Sequence, residues 1–398
     1  MKVLLIMLDL PADLNSSNLY LDLALEFKAN KHEIFIIAPA LENHKTQFYE
    51  ERGLIVLRVK TLKQKDIKSI LRKGFSQLIL PYQYLAAYRK YMWDLPFDLI
   101  LMPTPPITLT RFVMNIKKRT GAIFYLILRD IYPQGAADIQ LVQSTFMYKC
   151  LRKLEIMTYT KADIIGCMSY GNIDYIKKHN DYLDIKKLAL LPNWQKKAED
   201  NKLSVDVRIK YNLENKYIVL FGGNIGYAQK VDNIVILAEY YHENENIIFL
   251  IVGNGVMKQY LKDNVKEKNL DNVLFLDSLP RDEYLNFVKA SDIGLITIDE
   301  RFTVPTIPSK TTSYLSLKLP ILAIIDKHTD YGEIIDEAGA GLWSIGGDNK
   351  KLFNNFNKLY KDKNLRINFG QNGYNYFVEN MTSEVAYQNV LMHLKSLQ

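Results

Sequence analysis

Short, nearly unbroken apolar runs alternate with longer stretches of helical period along most of the chain. In the first half the runs fall at residues 3–8, 33–38, 54–59, 99–102, 123–128, 163–167 and 188–191, with helical segments at 16–29, 67–91, 108–120, 144–160 and 172–179. Strands that are apolar on both faces and separated by helices predict a parallel sheet covered on its two sides. After Pro192-Asn193-Trp194 and a polar stretch over 195–204 the alternation restarts, with runs at 217–221, 247–252, 273–276, 293–298, 321–325 and 341–344, and the chain ends in helices between 349 and 397. The pattern therefore predicts an α/β protein of two Rossmann-like domains, each a doubly wound parallel sheet, facing each other across a cleft. The expected divisions are 1–194, 195–376 and a last helix, 377–398, that packs back on the first domain. Crevices at the carboxyl ends of such strands are where these sheets bind ligands.

Length and composition support this division. A chain of 398 residues exceeds what one core holds, since single cores stop growing near roughly 250–300 residues. With 48% hydrophobic and 24% charged residues it is neither disordered nor fibrous. Two cysteines, Cys150 and Cys167, argue against a disulfide scaffold and fit a reducing compartment; no Cys-x-x-Cys or Cys/His cluster suggests a metal. The opening apolar run ends after six residues at Asp9, too short for a signal sequence. No stretch approaches the ~18 uncharged apolar residues of a spanning helix. The expectation is a protein that does not cross a bilayer.

Charge changes the picture when it is divided. The net +7 is +9 over residues 1–200 and −2 over the remainder, and residues 51–120 alone reach +10. An anionic partner for the first half follows. The block from Arg58 to Lys73 holds seven cations and one acid, and runs into Phe75, Leu78, Tyr82, Tyr84, Tyr88, Tyr91 and Trp93 with Arg89 and Lys90 interleaved. Cations beside Tyr and Trp on an amphipathic helix suit an anionic lipid headgroup region; a solvated helix face with its apolar side in the core is the other reading. Without a recognisable reading module, nucleic acid is not expected.

Three features of the second half suggest phosphate chemistry. The run ending at Phe221 opens into Gly222-Gly223-Asn224-Ile225-Gly226, and Ile251-Val252 into Gly253-Asn254-Gly255. Glycines at strand ends let backbone N–H groups approach a phosphate, although either turn alone could be no more than a tight turn. The first spacing is not G-x-G-x-x-G, and no acid ends the following strand, so a dinucleotide is disfavoured. The third feature is Pro308-Ser309-Lys310-Thr311-Thr312-Ser313 at the start of an expected helix. Its hydroxyls read as caps, but a cation at a helix start is unfavourable unless an anion is bound there. In the first half, Arg129-Asp130 follows the strand 123–128 and places a charge pair at its end, where an ion pair is either structural or catalytic.

These residues resemble the retaining glycosyltransferases of family 4, which have the GT-B fold, and within them the O-antigen and capsule enzymes similar to N-acetylfucosamine transferases. The likeness covers nearly the whole chain. It is carried by Arg129-Asp130-Ile131-Tyr132-Pro133, Leu191-Pro192-Asn193-Trp194, the stretch Phe221 to Gln229, Ile251 to Gly255, Leu279-Pro280-Arg281, Ala290 to Leu295 and Pro308-Ser309-Lys310. The resemblance implies an acceptor-binding first domain and a nucleotide-sugar-binding second domain. It implies that Gly222, Gly223, Asn224, Ser309, Lys310 and Thr311 face a donor diphosphate, that Gly253 and Gly255 lie near the nucleotide, and that Leu279, Pro280 and Arg281 border the base. Asp130 would sit near the acceptor hydroxyl, and Asn193-Trp194 at the interdomain hinge.

The chain departs from the family pattern in two places. Where most members have Arg and Lys after the first strand of the second domain, this chain has Asn224 and Gln229, with Lys230 one place along. The two family glutamates separated by seven residues fall here on Pro305 and Ser313. Glu300 is the nearest carboxylate to substitute for the first, and Ser313 offers a hydroxyl in place of the second. The resemblance implies a metal-independent transferase without a cofactor, in which Asp130 and Lys310 carry catalysis. A nucleotide-sugar, expected to be a UDP-sugar, would be the donor, and a lipid-linked saccharide at the inner face of a bacterial membrane the acceptor. The protein would be cytoplasmic and peripheral on that membrane through residues 58–93. The rival expectations are a non-catalytic GT-B subunit or scaffold, supported by the missing glutamates, and a nucleotide-sugar epimerase, which no carboxylate pair commends.

Overall fold

The computed structural model describes every residue except 13, 15–17, 42–43, 63–69, 199–205 and 398, with the backbone alone for 70–73. The chain divides into two compact units. One comprises Met1–Ala137, Val142–Pro192 and Ser383–Gln398; the other comprises Asp138–Leu141 and Asn193–Thr382. The chain therefore leaves the first unit after Pro192, where the sequence suggests 194, and re-enters it at Ser383, where the sequence suggests 377.

The first unit is built on strands β1 (Lys2–Ile6), β2 (Glu33–Pro39), β3 (Gln47–Glu51), β4 (Leu54–Val59), β5 (Leu99–Thr104), β6 (Ile123–Leu128), β7 (Ile164–Cys167) and β8 (Leu188–Leu190). Their order is β3-β4-β2-β1-β5-β6-β7-β8, parallel throughout except for β3, which runs antiparallel to β4. The central strands are apolar end to end because helices cover both faces, and β5 and β6 are buried at nearly every position. The edge strand β3 is not foreshadowed by the hydrophobic pattern: Gln47-Phe48-Tyr49-Glu50-Glu51 is mostly exposed and pairs through its backbone. A short helix, Gln134–Asp138, is likewise unannounced.

The closing helix, Ser383–Lys395, belongs to this first unit. It packs on the helix Leu19–Ala29, where Ser383 Oγ donates to Glu26 Oε1 at 2.7 Å and Tyr387 Oη meets His32 Nε2 at 3.0 Å. At its far end Tyr125 Oη meets His393 Nδ1 at 2.9 Å.

The second unit holds β9 (Tyr217–Gly222), β10 (Ile247–Val252), β11 (Val273–Leu276), β12 (Ile293–Thr297), β13 (Ile321–Ile325) and β14 (Gly341–Ile345). All are parallel, in the order β11-β10-β9-β12-β13-β14. Counted from β9 this is the 3-2-1-4-5-6 order of a Rossmann sheet, whose strand order reverses between its first and fourth strands, here β9 and β12. Phe249, Leu237, Leu261 and Phe356 fill one side of the sheet, with the rings of Tyr241 and Phe356 stacked at 4.2 Å. The helix expected from about residue 229 begins at Asp232. Before it, Tyr227–Gln229 makes a single 3-10 turn that Lys230 ends in a left-handed conformation, φ 37°.

Among the described residues no helix is long and apolar enough to cross a membrane.

Candidate functional site

The carboxyl end of β9 lies at the switch point of the second sheet, and the glycine turn begins there. Gly223 has φ +97°, a backbone conformation that strains any residue with a Cβ, although the space beside it is open. Gly253, in the turn after β10, lies so close to Gly223 that a Cβ would run into the Gly223 carbonyl oxygen. Two chain reversals can touch backbone to backbone here only because one carries no side chain. The paired turns are tied by Gly223 N–H to the Val252 carbonyl and by Ile225 N–H to the Asn254 carbonyl, both 2.9 Å. The loop from Asn224 is closed by Gln229, whose Oε1 accepts from Gly226 N–H at 3.1 Å. Asn224 is exposed.

Lys258, which sequence reasoning does not single out, fastens the second turn. Its Nζ donates to the Gly253 and Leu276 carbonyls at 2.8 and 3.0 Å, to Asn254 Oδ1 at 2.8 Å and to Asp277 Oδ1 at 2.7 Å. Gly255 lies within this fastened turn, beside the Ile225 carbonyl.

A seven-residue helix, Lys310–Ser316, approaches the same strand end. Tyr314 anchors it: its buried hydroxyl donates to the Leu220 carbonyl and accepts from Gly222 N–H, each at 3.2 Å. The Lys310 Nζ lies 3.7 Å from the centroid of the Phe221 ring. This nitrogen is buried and has no hydrogen-bond partner among the described residues. A ring face attracts a cation, but burial still pulls the Lys310 ammonium down to about 7 from 10.5. A buried amine without a hydrogen-bond partner among the described residues can receive an anion.

The neighbouring hydroxyls are used differently from what the sequence suggests. Ser309 precedes the helix without a side-chain capping bond and is exposed, free to meet a ligand. Thr311 is a correction: it is 2% exposed and its hydroxyl is bonded to Tyr331 Oη at 2.6 Å, so it faces inward instead of toward the glycine turn. Successive helical residues point about 100° apart, and Ser309, Lys310 and Thr311 cannot share one direction. Ser313 Oγ donates to Gln195 Oε1 at 2.8 Å.

Lys230 and Glu300 come together. Lys230 Nζ stands 3.7 Å from Glu300 Oε1 and 3.6 Å from Asp232 Oδ2. The Lys230 backbone is set by Thr297 at the end of β12, whose Oγ1 donates to the Lys230 carbonyl at 3.3 Å and accepts from Asn233 Nδ2 at 2.8 Å. Beside Glu300, the buried Asp299 accepts from Arg301 Nε and Nη2 at 2.8 and 2.7 Å. Burial works against this carboxylate, but the Arg301 bonds outweigh it and hold its pKa below the ordinary value. Leu279 and Pro280 lead from β11 into the helix Arg281–Ala290, whose Tyr284 packs against Gly222.

In the first unit, Arg129 and Asp130 follow β6. Arg129 is 8% exposed, and its Nη1 donates to the Leu191 carbonyl at 3.1 Å. It also hydrogen-bonds the Tyr20 hydroxyl, which burial nevertheless pushes up to about 12. Asp130 reaches solvent beyond the strand end. The protein around it raises its carboxyl pKa, an effect the Arg129 charge opposes in part. A carboxylate with raised affinity for a proton can orient or deprotonate a hydroxyl.

The expected cationic block is only partly in view, since 63–69 and the side chains of 70–73 lie outside the described residues. Arg58 is a correction. It is 3% exposed in β4, donates to the Leu10 carbonyl at 2.8 Å and also bonds the Pro11 carbonyl, so it is structural and unavailable to a surface. Among the described residues no group of three or more His, Cys, Asp or Glu side chains is arranged to hold a metal ion.

Residues 206–376 match the family described as Glycosyl transferases group 1. The chain is 24% identical over 248 residues to a protein of Pseudomonas aeruginosa named "Probable glycosyltransferase WbjE", a match that spans 61% of either chain. The chain therefore covers less than two thirds of that relative's length. Among solved structures it is similar to WaaG, described as a glycosyltransferase involved in lipopolysaccharide biosynthesis, with TM-score 0.69, 14% identity and 98% of each chain covered. It is also similar to the Anabaena protein HepE in complex with UDP-glucose, with TM-score 0.70, 14% identity and full coverage of both chains.

Proposed function

With residues 206–376 forming a glycosyl transferase group 1 domain in a chain of GT-B fold, we propose that the protein moves a sugar from a UDP-sugar to a lipid-linked saccharide in bacterial surface-polysaccharide synthesis, with retention of anomeric configuration. The observation that carries this reading is the Lys310 amine, buried and without a hydrogen-bond partner among the described residues, over the Phe221 ring at the strand end where the exposed Gly223 turn begins. The named relatives support it: one is a glycosyltransferase of lipopolysaccharide biosynthesis and another holds UDP-glucose.

In this reading the donor diphosphate meets Lys310, Ser309 and the exposed Gly223-Asn224 backbone. Gly222 is a correction, since it is buried at the end of β9, its N–H is bonded to Tyr314 Oη and Tyr284 packs against it. The nucleotide lies over Gly253 and Gly255, with its base toward Leu279, Pro280 and Arg281. The bond between the anomeric carbon and the phosphate oxygen breaks as the acceptor oxygen bonds the same face of that carbon. The acceptor proton passes to the departing phosphate oxygen, with Asp130 orienting the hydroxyl or taking the proton. Lys310 stabilises the departing charge, without a metal ion or cofactor. Lys230 and Glu300 would hold hydroxyls of the donor. Ser313 has its hydroxyl committed to Gln195, so the ribose grip falls to another group.

The test is direct. The protein is incubated with a panel of UDP-sugars and a short polyprenyl-diphospho-N-acetylhexosamine, and the acceptor is expected to gain the mass of one sugar. No product with any donor, together with no UDP binding by calorimetry, would instead favour a non-catalytic scaffold.

The acceptor's membrane is the reason to place the protein in the cytoplasm, peripheral on the inner leaflet. The helix Ile70–Tyr91 buries Leu80, Tyr84 and Tyr88 but leaves Phe75, Leu78 and Tyr82 60–61% exposed. Spaced three and four residues apart, these three form one face. Beyond the helix Trp93 is exposed, with the Arg119 and Arg89 guanidinium groups 4.8 and 5.7 Å from its ring. Apolar anchors next to a ring and cations match a headgroup boundary. The triple change Phe75→Ser, Leu78→Ser and Tyr82→Ser is expected to reduce co-sedimentation with phosphatidylglycerol vesicles about tenfold or more, with UDP binding retained. Undiminished sedimentation would show that the lipid contact lies elsewhere.

A further inference from the structure

Asn193 and Gln195 come directly after the chain leaves the first unit, and as sequence they begin a polar connection. Both are nevertheless buried, at 2% and 1% exposure, and both amides turn to the stretch that carries Lys310. Asn193 Nδ2 donates to the Ile307 carbonyl at 3.1 Å, three residues ahead of the lysine. Gln195 spans the helix beyond it: Oε1 accepts from Ser313 Oγ at 2.8 Å, and Nε2 donates to Ser316 Oγ at 3.1 Å. The Ser316 hydroxyl in turn donates to the Ser313 carbonyl at 3.0 Å, so the donors and acceptors close into a ring. Thr312 Oγ1 also lies 3.2 Å from Gln195 Oε1. The backbone of the same residue is engaged as well. Gln195 N–H donates to the Met381 carbonyl at 2.9 Å and bridges to Thr382, immediately before the chain returns to the first unit. One residue thus joins the outgoing connection, the returning connection and the Lys310 helix.

We propose that Gln195 is a positioning residue for Lys310. By holding the hydroxyls of Ser313 and Ser316 it fixes a helix of only seven residues, and with it the place of the amine over the Phe221 ring. The same bonds link the two interdomain connections to the donor site, so a displacement of either connection is transmitted to Lys310. A helix this short has little stability of its own and takes its position from such side-chain contacts. A buried amide with both ends satisfied holds one geometry, because any other leaves a polar group unpaired. The placement of Lys310 follows from these hydrogen bonds; its catalytic consequence rests on the UDP-sugar reading above.

The experiment follows Lys310 without any ligand. Protein carrying carbon-13 at the lysine ε position is titrated by NMR, with the Lys310 signal assigned from its loss in Lys310→Met. Gln195→Met keeps the side chain's length and removes both hydrogen-bonding ends. Its Lys310 titration is expected to move from about 7 toward the ordinary 10.5, as the amine swings out to water. UDP binding should weaken about tenfold. If Gln195→Met does not fold, Ser313→Ala removes the shortest bond of the ring, and Ser313→Thr, which keeps the hydroxyl, should restore the low titration. A Lys310 titration left at about 7 in both Gln195→Met and Ser313→Ala overturns the proposal. Failure of the unaltered protein to bind UDP would defeat the donor reading instead, since the titration requires no nucleotide.

Discussion

Lys310→Met is expected to lower turnover by about 10²- to 10³-fold, the range for removing one preorganised group that meets developing charge, while raising, not lowering, the temperature of unfolding. The two effects have one cause. In the folded protein Lys310 loses its proton at about 7, and an unhindered lysine at 10.5. Between those values the unfolded chain binds more protons than the folded one, so this group makes stability increase with pH across that window. Below about 7 the folded protein carries the full cost of the buried charge, and above 10.5 none of it. At neutral pH the cost is on the order of 4 kcal/mol, and methionine removes it at the loss of the contact with the Phe221 ring. A diphosphate reverses the balance by favouring the charged amine. UDP affinity in the unaltered protein should therefore fall as pH rises from 6.5 to 8.5, with proton uptake on binding, and Lys310→Arg should flatten that dependence. Thermal melts and calorimetry at the two pH values check both halves. Activity and melting temperature falling together in Lys310→Met would make the lysine structural.

The sheets were legible because burial on both faces leaves an unmistakable mark: 123–128 and 247–252 hold hardly a polar residue, and each became a strand with those bounds. The edge strand β3 leaves no such mark, since Gln47, Phe48 and Glu50 are exposed and only the backbone is paired. Charge was a weaker guide. Arg58 looks like the first cation of a basic block, yet its guanidinium has carbonyl partners inside the fold, and no local pattern discloses that. The glycine turns and Lys310 could be selected as a site because glycines after an apolar strand and a cation before a helix each have few structural uses. The supporting residues could not be selected in that way. Lys258, Tyr314 and Gln195 act through side-chain hydrogen bonds to partners 4 to 121 positions away, and a polar residue in a connection reads the same whether it is solvated or buried. Helix geometry alone, applied to Ser309-Lys310-Thr311, would have anticipated that Thr311 turns inward.

Asp130→Asn is expected to lower kcat by about 10²- to 10⁴-fold, the range for one positioned acid or base, and to leave the affinity for UDP within about twofold, because Asp130 lies in the unit that does not carry the glycine turns. Asparagine keeps the size of the side chain but cannot take a proton. The pH profile separates a chemical role from a structural one. The surrounding protein raises the Asp130 pKa above 3.8, with Arg129 opposing, so kcat/KM should decline on the acid side at a higher pH than a solvated aspartate would give. That decline should vanish in Asp130→Asn, which works by a slower route at every pH. The stability argument has the same sign. The surrounding protein makes the charged form costlier in the folded state, so Asp130 contributes a destabilisation that is present above its folded pKa and disappears below 3.8. Asparagine should therefore melt no lower than the wild type at pH 7. If it melts several degrees lower and turnover recovers on cooling, Asp130 holds the end of β6 in place and the acceptor proton leaves by another path.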